Sequence, residues 1–182
     1  MGVRRAMDIV LETAMKKNGA IFTYGPLIHN PQVLEILEEK GVKTLPEGDA
    51  SSSFSSAPQG TSVTVIIRAH GVSPDERQKI KDTGVHIINA TCPHVGKVQG
   101  IIKRYALQGY HIVIFGEKDH AEVIGLLGYA RGNGYVVNTM EDVENLPVVG
   151  QVCFVAQTTQ DQNHFESLAQ AVLKRFPEAK IF

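Results

Sequence analysis

Cys92 sits in Asn89-Ala90-Thr91-Cys92-Pro93-His94, where an apolar strand-like run gives way to a helical one. Turns of that kind hold the chemistry of α/β proteins, because the sheet fixes the loop and the next helix points backbone N–H groups at whatever binds there. Three more such turns carry reactive side chains: His29 in Tyr24 to Asn30, His70 in Arg68 to Ser73, and His120 with Glu122 in Gly116 to Glu122. A fourth, Ala156-Gln157-Thr158-Thr159, offers a threonine hydroxyl. These residue types divide the work. A thiolate ligates iron, an imidazole donates N–H or carries positive charge near neutral pH, and a carboxyl delivers a proton. Spread over strand-to-helix turns, they read as one site assembled from several loops.

Each of them also has a plainer reading. Cys92 taken alone could equally be a buried, inert cysteine. Cys153 lies inside Val152-Cys153-Phe154-Val155 and reads as strand core. A lone loop histidine bonds a neighbouring carbonyl, and Glu122 could be an ordinary first-turn carboxylate stabilised by the helix dipole. Gln157 and Thr159 could simply shape their turn. His94 reads as structural, and His86, His111 and His164 as strand or helix positions.

The elements that must position these residues alternate along the chain. Ala6, Ile9, Val10 and Ala14 recur at helical spacing, so Val3 to Lys17 predicts an amphipathic helix stopped by Asn18-Gly19. A strand over Ile21 to Tyr24 follows, then a helix over Gln32 to Lys40 with Pro31 at its start and Gly41 at its end. Val63 to Arg68 is β-branched and continuous, the pattern of a strand covered on both faces. Pro74 to Thr83 predicts a helix and Val85 to Asn89 another buried strand. The second half repeats the order: helix Val95 to Gln108, strand His111 to Phe115, helix from Ala121, strand Gly134 to Val137, a helical turn Glu141 to Glu144, strand Val152 to Val155, helix Asp161 to Arg175. Such alternation predicts an α/β fold of mainly parallel sheets flanked by helices. It is divided near Pro93 into two similar small domains, 1–92 and 93–182. Residues 50–60, with five serines, Pro58 and Gly60, read as a surface loop without chemistry.

Composition narrows the field. A chain of 182 residues, 43% hydrophobic, can bury one large core or two small ones. Lys and Arg are scattered rather than striped, which argues against a nucleic-acid groove or a membrane-binding face. The first twenty residues carry charge throughout and no apolar run approaches a membrane span, so a cytoplasmic location is the expectation. Two cysteines with sixty residues between them form no disulfide framework, in keeping with a reducing compartment. There is no Gly-x-Gly-x-x-Gly after a strand and no P-loop, which argues against a nucleotide cofactor.

The same residues carry a resemblance. Gly2-Val3-Arg4-Arg5-Ala6, His29-Asn30, Ala69-His70-Gly71-Val72-Ser73, Ala90-Thr91-Cys92-Pro93, His120-Ala121-Glu122-Val123 and Gln157-Thr158-Thr159 stand in family order and near family spacing. In these the chain resembles the 4-hydroxy-3-methylbut-2-enyl diphosphate reductases, the LytB/IspH family of the non-mevalonate isoprenoid pathway. The resemblance implies three similar α/β domains around a central cavity, of which this chain supplies two. It implies that Cys92 is the second of three cysteines holding a [4Fe-4S] cluster. The first would stand where Met1 stands and the third a few residues beyond Phe182, so the chain looks like the family with both ends cut away. It implies that His29, His70 and His120 bind the diphosphate, whose charges suit N–H donors at helix N-termini. It makes Glu122 the proton source, with Thr158 orienting the substrate hydroxyl. The implied reaction is a two-electron reductive dehydroxylation supplied by a ferredoxin or flavodoxin-type donor.

Two readings from other classes compete. One is a diphosphate-binding remnant that keeps the three histidines but has no cluster and no catalysis. The other is a mononuclear zinc hydrolase using His70, His120 and Glu122, against which stands the lack of a compact motif such as His-Glu-x-x-His.

Overall fold

The computed structural model describes residues 2–16, 19–28, 30–46, 48 and 60–182. His29, and the serine-rich stretch apart from Gly60, lie outside the described residues. The rest divides into two compact units, Met1–Pro93 and His94–Phe182.

In the first unit the elements run α1 (Gly2–Lys16), β1 (Ala20–Tyr24), α2 (Pro31–Glu39), β2 (Val42–Leu45), β3 (Val63–Ile67), α3 (Pro74–Asp82) and β4 (His86–Asn89). From the unit boundary onward they run α4 (Pro93–Leu107), β5 (His111–Phe115), α5 (Ala121–Leu127), β6 (Gly134–Val137), α6 (Met140–Glu144), β7 (Val152–Ala156), α7 (Gln162–Arg175) and β8 (Lys180–Ile181). A short 3-10 turn, Gly128–Ala130, follows α5.

Both sheets are parallel throughout and share one strand order, β2-β1-β3-β4 and β6-β5-β7-β8. In each, the chain leaves the first strand to one side and returns on the other. That opens a crevice at the carboxyl ends of β1 and β3, and again of β5 and β7, the place where such sheets take ligands.

The continuous apolar runs are explained by burial on both faces. In β5, Ile112 and Ile114 join Ile102, Val123 and Leu126 from α4 and α5, while Val113 and Phe115 join Val143, Leu168 and Val172 from α6 and α7. The first unit repeats this: Ile66 meets Ala6, Val10 and Leu37 of α1 and α2, whereas Val65 and Ile67 meet Ile80 of α3. Alternate residues of one strand therefore feed different cores.

Two strands go beyond the sequence expectation, β2 and β8, both at sheet edges. A third differs from it: β4, expected to be buried, is half exposed, with His86 and Asn89 at the surface, because the strand order puts it on an edge. Among the described residues no helix is long and apolar enough to cross a membrane.

Candidate functional site

In the second unit the predicted residues gather at the crevice of β5 and β7. His120 is the N-cap of α5, and its Nδ1 accepts the backbone N–H of Glu122 at 3.1 Å. A ring nitrogen that accepts carries no proton, so the imidazole proton sits on Nε2. The Glu122 side chain turns back into the protein and is only 1% exposed. Its Oε1 accepts the Thr158 N–H at 2.7 Å and its Oε2 the Thr158 hydroxyl at 2.9 Å. Thr158 itself is exposed. A buried carboxylate thus meets the surface through one hydroxyl.

Two residues pack beside this pair. Gln157, 2% exposed, accepts the Glu117 N–H at 3.0 Å through its side-chain oxygen and donates to the Thr159 hydroxyl at 2.9 Å. Gly116 lets the two loops approach: a Cβ there would lie 2.8 Å from Gln157 Oε1 and 2.8 Å from Val123 Cγ2. Beside Thr158 opens a cleft of about 420 Å³, walled by His94, Lys97, Val98, Gln160 and Phe165 among others. His94 and Lys97 give it a basic rim at the first turn of α4, and Val98 and Phe165 an apolar wall. His94, expected to be structural, lines this cleft.

In the first unit, His70 and Cys92 lie at the carboxyl ends of neighbouring strands. His70 is half buried in the β3–α3 turn, which Gly71 closes at φ 72° by donating to the Arg68 carbonyl at 3.0 Å. Ser73 then caps α3 through a reciprocal pair of bonds with Glu76. The Cys92 N–H donates to the carbonyl of Ala69, next to His70, at 2.8 Å. Arg5 Nη1 donates to the Thr91 carbonyl at 3.1 Å, which pins the start of α1 to the cysteine turn. Gly2 abuts the thiol itself, since an added Cβ would stand 2.7 Å from Cys92 Sγ.

The two cysteines differ sharply. Cys92 is half buried at its turn, whereas Cys153 is fully enclosed in β7, and desolvation pushes its thiol up to about 12. Among the described residues no group of three or more His, Cys, Asp or Glu is arranged to hold a metal ion. The structure therefore brings together His120, Glu122 and Thr158 on one unit and His70 and Cys92 on the other, each set described within its own unit. The burial of Glu122 and the Gln157 strut were not legible in the sequence, because both depend on partners some forty residues away.

Comparison with known proteins decides the family. A family model described as LytB protein matches residues 1–182. The chain belongs to the LytB family. Among its relatives, the LytB-family 4-hydroxy-3-methylbut-2-enyl diphosphate reductase of Opitutus terrae is 38% identical over 185 residues, covering 100% of this chain and 63% of the relative. That of Caldanaerobacter subterraneus subsp. tengcongensis is 40% identical over 182 residues, covering 100% of this chain and 61% of the relative. Of solved structures, the E-1-hydroxy-2-methyl-but-2-enyl-4-diphosphate reductase from Plasmodium falciparum superposes with a TM-score of 0.86 at 30% identity, over 100% of this chain and 55% of that one. An (E)-4-hydroxy-3-methyl-but-2-enyl diphosphate reductase, described as the terminal enzyme of the non-mevalonate pathway, gives 0.83 at 35% identity, over 100% and 63%. This LytB-family chain thus spans about three fifths of the curated relatives it matches.

Proposed function

We propose that this chain forms part of a 4-hydroxy-3-methylbut-2-enyl diphosphate reductase of the non-mevalonate isoprenoid pathway, and that it carries the proton-delivering carboxylate and much of the diphosphate site. The observation that carries the reading is the buried Glu122 carboxylate bonded at both oxygens to Thr158.

The reaction replaces a hydroxyl by hydrogen. A C–O bond breaks, a C–H bond forms, two electrons and two protons are consumed and water leaves. Hydroxide is a poor leaving group, so a proton must meet the departing oxygen. With Glu122 protonated, the bond to Thr158 reverses: the carboxyl donates to Oγ1, and the Thr158 hydroxyl donates outward to the substrate oxygen. Shelter from bulk water keeps that proton from exchanging elsewhere. His120 Nε2–H and His70 would donate to the diphosphate, with His29 as a third contributor, and the N-termini of the following helices favour the anion. The products would be isopentenyl and dimethylallyl diphosphate.

The family resemblance points to a [4Fe-4S] cluster, which would supply the electrons and a Lewis acid, fed by a ferredoxin or flavodoxin-type protein. Cys92 would be its ligand here. Such clusters take three or four protein ligands, and among the described residues Cys92 is the one half-exposed thiol, so these residues by themselves do not fit the cluster.

The test is titration calorimetry of inorganic diphosphate into the chain, beside anaerobic reconstitution with iron and sulfide. His70→Ala and His120→Ala should each weaken diphosphate binding about tenfold, the cost of a lost charge-assisted hydrogen bond, while Glu122→Gln leaves it near the starting value. Iron retained by the chain and lost in Cys92→Ser supports the reductase. Histidine-dependent binding without iron in either protein makes the chain a diphosphate-binding module, and binding indifferent to both histidines sinks the reading.

A further inference from the structure

We infer that Gln157 is a positioning residue for the Glu122–Thr158 pair, the last link of a closed ring of hydrogen bonds at the β5–β7 crevice. The inference rests on the proton-delivery role proposed for that pair.

The ring can be followed atom by atom. Gln157 Oε1 accepts the Glu117 N–H at 3.0 Å. The Glu117 carbonyl accepts the His120 N–H at 3.0 Å. His120 Nδ1 accepts the Glu122 N–H at 3.1 Å, the Glu122 carboxylate accepts both donors of Thr158, and Thr158 is bonded covalently to Gln157. One residue closes the circuit between a strand-end turn and the loop that carries both His120 and Glu122.

Gln157 borders the cleft beside Thr158, yet its polar atoms are committed to protein partners. It is 2% exposed. Its Oε1 takes a second donor, Gln160 Nε2, at 3.2 Å, its Nε2 donates to Thr159 Oγ1, and its backbone N–H reaches across the crevice to the Phe115 carbonyl at 2.8 Å. The space around it is fully used, since a Cβ at Gly116 would lie 3.0 Å from Gln157 Cβ as well as meeting its amide oxygen. An apolar residue of similar size would fill this volume but take away the partner of the Glu117 N–H, freeing the loop to move. The pair would then lose its fixed separation, because Thr158 follows directly on the strut.

The experiment needs neither substrate nor metal. Amide exchange and imidazole nitrogen shifts are measured by NMR on the chain and on Gln157→Leu, with the β7 amides of Cys153, Phe154 and Val155 as internal references for global stability. The expected result is that Thr158 N–H protection falls about tenfold relative to those references, and that the His120 signature of a single Nε2–H tautomer is replaced by a mixture. Unchanged relative protection and an unchanged tautomer in a folded Gln157→Leu would overturn the inference. Should that variant not fold, Thr159→Val decides, because it removes only the hydroxyl that holds the Gln157 amide and lies on an exposed residue. About threefold faster relative exchange at Thr158 is then expected, and no change overturns the inference. Failure of the diphosphate reading would appear in the calorimetry, and failure of the positioning role in the exchange rates.

Discussion

Glu122 and Cys153 are both enclosed in the second unit, yet their surroundings treat them differently. Glu122 meets two donors from Thr158; Cys153 meets apolar neighbours such as Ile112 and Val155, and burial pushes its thiol up to about 12 from the ordinary 9.0. A group whose folded value is raised keeps its stabilising effect below the unfolded value and loses it as pH climbs to the folded one. Stability should therefore fall between pH 9 and about 12, by at most ~1.4 kcal/mol per pH unit from this group, and Cys153→Ala should flatten that part of an unfolding-against-pH curve. Native alkylation followed by mass spectrometry should add one label, at Cys92, with the second appearing only in denaturant. Gly2→Ala would ordinarily help a helix; here the new Cβ meets Cys92 Sγ, so we expect a drop of about 1–3 kcal/mol in urea unfolding. Residue types and their turns could be read from the sequence. Contacts could not, because Glu122 and Thr158 stand 36 positions apart and nothing local marks the one as partner of the other.

At the scale of elements, local rules set the boundaries and long-range pairing sets the rest. Helix α6 is short, and both its ends are tied down from outside. Thr139 and Asp142 form a reciprocal cap at its start, and the Arg175 guanidinium of α7 donates to the carbonyls of Val143, Glu144 and Leu146 at its end. Thr139→Ala should cost about 1 kcal/mol in urea unfolding. Hydrogen bonds from the Asn138 backbone and from Thr139 hold the Asp142 carboxyl below its ordinary value of 3.8. Its contribution is present above that value and lost as pH falls through the lowered one, so acid unfolding of Asp142→Asn should begin from a lower baseline and show a weaker dependence on pH below 4. Proline starts, glycine stops and apolar runs made the long helices and central strands readable to within a residue or two. Val42–Leu45 escaped because its ends are buried and its middle exposed, a pattern with neither the alternation nor the continuity that marks a strand. Lys180–Ile181, two residues long, carries no pattern at all. Ile87 and Ile88 suggested a buried strand, but burial depends on having a neighbour on each side, and strand order is not written in one strand.

Taken whole, the molecule is one strand order used twice, each time with its own pair of cores. Residues 93–182 contain a complete sheet and both of its apolar faces. Expressed alone, they should unfold cooperatively and give dispersed amide resonances; a collapsed spectrum would show that the second unit depends on the first. Because every strand in both sheets runs parallel, each βα turn emerges at one end and each αβ turn at the other. Tolerance to sequence change should divide along that axis. In a library of short insertions screened first for soluble expression and then for ligand binding, turns such as Gly132–Asn133 should accept inserts in both screens. Those after β3, β5 and β7 should pass the first and fail the second. The polarity of the strands would thus be visible in a table of survivors, without any structure to consult.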